Sequence, residues 1–171
     1  MKTRILTLGL CLATVAAFGQ SNPKLKELQP FVGTLQCTGT AFASPMGPEH
    51  PTKATVTGSW ILGGAWLEVH YKEVKTDKNP HPFDLRAFWS YDEQPKAFVA
   101  GTVDNMSGYS TGQSKGWEGD KFVFAGPMHS GGAMMNSRDT FTRVGKDEIR
   151  HMGELEDKGK WIKLDQEVCK R

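Results

Sequence analysis

The chain has 171 residues, with 21 lysines and arginines against 19 aspartates and glutamates. This length is enough for one domain with a sizeable core and argues against a second domain. Because basic and acidic side chains are nearly equal in number, the chain has no large excess of positive charge, which argues against nucleic acid or an anionic membrane as the main partner.

The first residues have the features of a secretory signal peptide. Lys2 and Arg4 precede an uncharged, largely apolar run over residues 5–18, and Ala17-Phe18-Gly19 has the spacing of a signal-peptidase site. The run of about 14 residues is shorter than the roughly 20 that cross a bilayer as a helix. We therefore expect a signal peptide over residues 1–19, a secreted or periplasmic protein, and no membrane anchor after cleavage. The remaining domain, residues 20–171, has 19 basic and 19 acidic side chains.

The rest of the chain is predicted to be almost entirely β. Only Lys24–Phe31 has a helical pattern, of one or two turns. Short runs rich in β-branched and aromatic residues recur roughly every 8 to 12 residues between Gly, Pro, Asn and Asp clusters. The predicted strands lie near residues 34–43, 53–62, 65–75, 83–91, 96–104, 121–126, 137–144, 147–156 and 160–169. About 9–10 antiparallel strands without crossover helices predict a single closed β-barrel, because closure removes exposed sheet edges.

Alternating side chains assign two faces to the predicted strands. In Phe83–Tyr91 the odd positions are apolar or aromatic and the even positions are mostly polar, so the odd positions are expected to point into the barrel. Leu67, Val69 and Tyr71 alternate with polar residues in the same way. A barrel of this size either fills with side chains or keeps a cavity for one small ligand. The sequence leaves both outcomes open.

Two cysteines, Cys37 and Cys169, stand in the first and last predicted strands. In an exported chain two cysteines generally pair, because the compartment is oxidising. A bond would make the first and last strands neighbours, as a closed barrel requires, and its long loop allows up to about 4–5 kcal/mol of stabilisation. The alternative is two buried or free thiols, since cysteine often behaves as a small hydrophobic side chain.

Four segments carry a family resemblance: Leu28–Leu35, Gly58–Glu68, Gly116–Phe122 and Glu167–Arg171. They are similar to a family of uncharacterised bacterial exported proteins thought to adopt a lipocalin-like (calycin) barrel. The short helix followed by Gly33-Thr34 also resembles the opening of nitrobindins and fatty-acid-binding proteins. The resemblance implies an all-β calycin barrel with a short N-terminal helix, and small-molecule binding only by analogy between barrels.

Two segments match motifs with chemical interpretations. Gly108–Gly112 matches G-x-S-x-G, but a nucleophile elbow needs a strand that turns into a helix, and no helix is predicted after Ser110. We expect a Gly/Ser-rich loop there. A turn at Gly131-Gly132 would bring together soft ligands that suit Cu(I), although methionines also plug barrel mouths. This hairpin contains Met128, His129, Met134 and Met135.

Histidines offer two further candidates. Glu68 and His70 share one strand face, where a metal site would need more ligands than are visible, so we expect a solvated outer face on which Arg86 pairs with Glu68. A haem-binding role, by analogy with nitrobindins, would need an axial histidine. His151 is the candidate in a late strand.

The candidate ligand-binding residues are inward aromatics with polar tips and one arginine placed to meet a ligand carboxylate. They are Trp60, Tyr71, Trp89, Tyr91 and Arg138. The alternative is core packing, with Arg138 exposed at a strand end.

We predict no catalytic residue, no metal site and no cofactor, because no acid, base and nucleophile converge in the pattern. The predicted function is binding of a small apolar or amphipathic molecule in the barrel interior. The alternative is a packed barrel that acts as an envelope protein–protein interaction module through outer loops at residues 44–51 and 106–119.

Overall fold

Antiparallel strands account for most of the molecule. The computed structural model describes residues 22–44 and 47–171, and the predicted signal peptide lies outside these residues. The strands are β1 Gly33–Ala41, β2 His50–Ile61, β3 Trp66–Glu73, β4 Asp84–Asp92, β5 Ala97–Asp104, β6 Tyr109–Ser114, β7 Trp117–Glu118, β8 Lys121–Ser130, β9 Ala133–Val144, β10 Glu148–Asp157 and β11 Lys160–Lys170.

Ten of these strands form a closed ring. The sheet runs in the order β6-β5-β4-β3-β2-β1-β11-β10-β9-β8, and β6 pairs with β8 to complete it. Among the described strands, the two-residue strand β7 pairs with β8 alone. Every pairing is antiparallel and the ring leaves no free edge, as in other closed barrels. The prediction of a single antiparallel barrel is confirmed.

A 3₁₀ helix, Pro23–Phe31, packs against one end of the barrel. Asn22 caps it, since its side-chain oxygen accepts a hydrogen bond from the amide of Lys24 at 2.9 Å. Its buried face carries Leu25, Leu28 and Phe31. The predicted helix is confirmed, and it covers the end at which β1 begins. A second 3₁₀ turn spans Leu62–Gly64, and neither helix of the described residues has the length and apolarity needed to cross a bilayer.

The disulfide lies where the first and last strands meet. Cys37 of β1 is directly opposite Cys169 of β11, with 4.0 Å between their Cα atoms, and the two sulfurs are bonded. The predicted bond is confirmed, and the alternative of two free thiols is not what the structure shows.

The prediction of outer loops at residues 44–51 and 106–119 is partly wrong. The first ends where β2 begins, at His50, and the second contains β6 and β7. The Gly/Ser/Thr-rich segment 109–114 has low strand propensity, yet both of its sides are paired, with β5 and with β8. Barrel closure therefore overrides the local preference. Gly126 of β8 permits this pairing, because a Cβ there would stand 2.1 Å from the carbonyl oxygen of Thr111.

Candidate ligand-binding site

An interior cavity of about 310 Å³ occupies the barrel. The part near the helix is apolar, with Phe31, Trp89 and Phe124 among its walls. At the other end, the lining reaches loop residues such as Phe42 and Met106. The barrel is therefore neither filled nor a channel: it is closed by the helix and approached from the opposite end.

Two of the predicted binding residues line this cavity. Tyr71 and Trp89 are part of its wall. Trp60 and Tyr91 are partly buried and pack against the hydrophobic core, but they are not lining residues. Alternation within β4 correctly predicts the inward face, which carries Leu85, Ala87 and Trp89.

Arg138 lies away from the cavity lining. Its guanidinium makes two hydrogen bonds to Glu154, of 2.5 and 3.0 Å, and it stands 4.3 Å from the ring centre of Trp161. The neighbours Ser137 and Asp139 both line the cavity. Because strand side chains alternate between faces, Arg138 belongs to the other face.

A buried carboxylate that the sequence analysis did not identify lies at the polar end of the cavity. Glu167 of β11 is 2% exposed. Its Oε1 accepts hydrogen bonds from the hydroxyls of Thr52 at 2.7 Å and Tyr71 at 2.8 Å. Burial raises the pKa of Glu167, although these two hydroxyls act in the opposite direction. Burial and the charges of Glu167 and Glu73 also raise the pKa of Tyr71.

His151 is held between two carboxylates. Its Nε2 lies 3.0 Å from Asp139 and its Nδ1 lies 2.9 Å from Asp165. Burial disfavours the charged imidazole, but Asp165 and Asp139 outweigh it and raise the pKa of His151 well above its ordinary value. Both ring nitrogens are engaged, so an axial bond to haem iron would require the loss of one of these partners. The residues present do not fit that group.

Glu73 connects the cavity to the loop between β3 and β4. Its Oε2 accepts hydrogen bonds from the side-chain amide of Asn79 at 2.6 Å and from the backbone amide of Phe83 at 2.7 Å. Its Oε1 lies 3.2 Å from the hydroxyl of Tyr71. The polar end is thus one hydrogen-bonded group that spans β2, β3 and β11.

The alternation of side chains along β11 would have located the buried acids of this strand from the sequence. Once Cys169 is placed inside the barrel by its disulfide, positions two and four residues earlier share its face. Those positions are Glu167 and Asp165. Charged residues are rarely buried without a partner, and for that reason the composition alone did not indicate an acidic interior.

The remaining motifs have structural roles. Ser110 lies within β6, opposite Thr102 and Met128, and not at a strand-to-helix turn, so the elbow geometry is missing and the predicted loop is wrong. The turn at Gly131-Gly132 that the copper hypothesis requires is present, and it pairs Met128 with Met135 and His129 with Met134. The two pairs occupy opposite faces of the hairpin, so the four soft ligands do not converge.

The outer-face prediction for Glu68 and His70 is confirmed. Arg86 forms a salt bridge with Glu68, and His70 lies 2.8 Å from Asp84. These contacts satisfy both groups on the solvated side of β3 and β4.

A second, more open depression of about 660 Å³ lies outside the barrel, beside the helix. Arg143 stands 4.6 Å from the ring centre of Trp117, and Arg171 donates hydrogen bonds to the carbonyls of Val32 and Pro30. Its arginines thus have partners within the fold, and we place the candidate site in the interior cavity.

Of two similar solved structures, the first supports the fold, and neither bears on the chemistry. The crystal structure of Rv2717c from M. tuberculosis is similar at a TM-score of 0.64, with 12% identity over 88% of this chain and 98% of that chain. A de novo designed fluorescence-activating β-barrel has a TM-score of 0.42 and 12% identity over 84% of this chain and 95% of that chain. No functionally curated protein matches the sequence. Residues 20–171 match the model of a family described as "Protein of unknown function (DUF1579)", and the chain therefore belongs to the DUF1579 family.

Proposed function

We propose that the protein binds a small apolar or amphipathic molecule inside the barrel. The observation that carries this proposal is the cavity of about 310 Å³, closed at one end by Phe31 and lined at the other by Tyr71 and Glu167. Ligand pockets are typically about 300–1,000 Å³, with apolar walls and a few polar groups that orient the ligand. The cavity has apolar walls near the helix and polar groups at its opposite end.

We also propose that the protein is exported and that its mature part is a calycin-type barrel. The segment before residue 20 has the pattern of a signal peptide, and the disulfide between Cys37 and Cys169 is of the kind that persists in oxidising compartments. These features support a secreted or periplasmic binding protein whose single domain covers residues 20–171.

Native mass spectrometry of protein purified from its own host tests the binding function. We expect a small molecule to be retained by the wild-type protein. Ala100 lines the cavity, so Ala100→Phe should displace the molecule, whereas Ala133→Phe at the exposed hairpin between β8 and β9 should not. Circular dichroism checks that both variants fold. Repeated absence of any retained molecule would contradict the proposal.

A row of three exposed apolar side chains and one half-buried histidine favours a second function, as an envelope interaction module. Val103, Tyr109, His129 and Met134 are successive cross-strand neighbours on β5, β6, β8 and β9. Tyr109 is 51% exposed and its ring stacks on His129 at 4.4 Å. Exposed apolar patches mark contact surfaces when they are contiguous. Met134 is 69% exposed and does not line the cavity, so a Met134→Glu variant that loses a defined protein partner while Ala100→Phe keeps it would favour this function over ligand binding.

A further inference from the structure

We infer that the ligand is an organic cation, an ammonium group on an apolar body, with its charged group at the polar end of the cavity. This inference rests on the proposed function, since it names the class of molecule that the same cavity accepts.

The charges that line the cavity are unbalanced. The described lining residues include neither lysine nor arginine, while six of them are acidic. The acidic residues are Glu73, Asp104, Asp139, Glu154, Asp165 and Glu167. Arg138 neutralises Glu154 from the outer side, and His151 lies between Asp139 and Asp165. A negative excess remains, and it is concentrated where burial makes charge interactions strongest.

Glu167 has an acceptor that the fold does not use. Both of its hydrogen bonds, from Thr52 and Tyr71, end on Oε1, and Oε2 accepts none from a described residue. The side chain is 2% exposed and lines the cavity. No fully buried polar side-chain atom of the described residues lacks a partner, so Oε2, for which no donor is described, is open to the cavity. A charged donor there would give a stronger hydrogen bond than a neutral one. An ammonium N–H from a bound ligand would supply this donor.

An anionic ligand would be repelled at the polar end of the cavity. His50 and His81 line the loop end of the cavity. The histidine beside Glu167 is instead His151, whose two ring nitrogens are already occupied by Asp139 and Asp165. A fatty-acid carboxylate placed at Glu167 would therefore add a negative charge beside Glu167 and Glu73, and His151 has no free N–H to pair with it. The apolar half of the cavity accepts an alkyl chain in either case, so the head group decides the preference.

Three ligands with the same chain separate these contributions. Octylammonium, octanol and nonanoate each carry an eight-carbon alkyl chain and differ only in the head group; they are titrated at pH 7 into the wild-type disulfide-bonded protein by calorimetry. We expect octylammonium to bind about tenfold tighter than octanol, as one charge-assisted hydrogen bond would give, and nonanoate to bind more weakly than octanol. Nonanoate binding as tightly as octylammonium would overturn the inference but leave the binding function intact. If none of the three binds, both are overturned.

Variants locate the charge that is responsible. Glu167→Gln should lower octylammonium affinity about tenfold and change octanol affinity by less than about twofold. The matched control is Glu68→Gln, on the outer face beside Arg86, which should change neither. Equal losses for octylammonium and octanol in Glu167→Gln would mean a general effect on packing and would contradict the assignment. The wild-type comparison of head groups decides the inference even if Glu167→Gln fails to fold.

Discussion

The hydroxyl of Tyr71 donates a hydrogen bond to Oε1 of Glu167 at 2.8 Å, although their strands, β3 and β11, are separated in the ring by β2 and β1. The bond therefore crosses the interior instead of following the sheet. It joins the two groups whose side chains line the polar end of the cavity. The same two side chains therefore contribute both to the stability of the barrel and to the polar lining of the proposed binding site.

Removal of the Tyr71 hydroxyl should destabilise the barrel. Tyr71→Phe keeps the ring but leaves Glu167 with Thr52 as its only described donor, and loss of a donor to a buried carboxylate costs about 1–3 kcal/mol. Urea unfolding measures the change in the free energy of unfolding. Tyr109→Phe, on an exposed side chain, is the control and should remain within about 0.5 kcal/mol of wild type. Equal stability of the two variants would contradict the importance of the crossing bond.

Stability should fall as the pH rises above neutrality. The pKa of His151 is raised by Asp165 and Asp139 against the effect of burial, so its stabilisation is complete below its ordinary value of 6.5 and is lost as the pH rises through the folded-state pKa. Burial raises the pKa of Glu167 as well, so its contribution has the same sign, but it begins to be lost at the lower ordinary pKa of a glutamate, 4.5.

Urea midpoints at pH 6 and pH 9 measure this dependence. We expect the wild-type midpoint to decrease between these values, and His151→Gln to show a smaller decrease because the titrating imidazole is gone. If the urea midpoint of His151→Gln falls as much as that of the wild type, or more, the pH dependence comes from other groups. His70→Gln, which removes the partner of Asp84 on the outer face, serves as the control.

Most strands of the barrel could be predicted from the local sequence pattern. In β4 the inward residues Leu85, Ala87 and Trp89 alternate with residues that are polar except for Phe88, because a strand with one buried face tends to alternate. The position of Cys37 opposite Cys169 was predicted by the requirement that the ends of a closed sheet meet.

The polar end of the cavity depends on contacts between distant strands, which a single sequence does not specify. Glu167 and His151 look like surface charges by residue type. Glu167 shares the inward face of Cys169, and the register of β10 and β11 places His151 opposite Glu167. Strand β6 was missed because its Gly, Ser and Thr residues have weak strand preference. Its pairing follows from closure of the ring with β8.

Loss of the disulfide should lower stability without changing the fold class. The bond joins residues separated by 132 positions, and the chain-entropy model gives up to about 4–5 kcal/mol for a loop of this length. We expect the Cys37→Ala, Cys169→Ala double variant to lose about 2–4 kcal/mol in urea unfolding. Reductant should weaken the wild-type protein by a similar amount and leave the double variant unchanged. Wild-type stability that does not respond to a reductant shown to cleave the bond would contradict this.

The pairing of β6 with β8 should depend on the absence of a side chain at Gly126. A Cβ there would lie 2.1 Å from the carbonyl oxygen of Thr111 and 3.0 Å from the Cα of Gly112, so Gly126→Ala must separate the two strands that close the ring. We expect a loss of about 1–3 kcal/mol, the range typical of overpacking, measured by urea unfolding, with faster amide hydrogen exchange in β6.

Gly101→Ala is the matched control, because a Cβ at Gly101 of β5 meets no atom within 4 Å and neither glycine has a left-handed backbone conformation. Alanine in such a position restricts the unfolded chain and is neutral or stabilising by up to about 1 kcal/mol. If the two substitutions change stability equally, close approach at Gly126 is not what holds β6 against β8. A loss confined to Gly126→Ala would identify this contact as the one on which closure of the barrel depends.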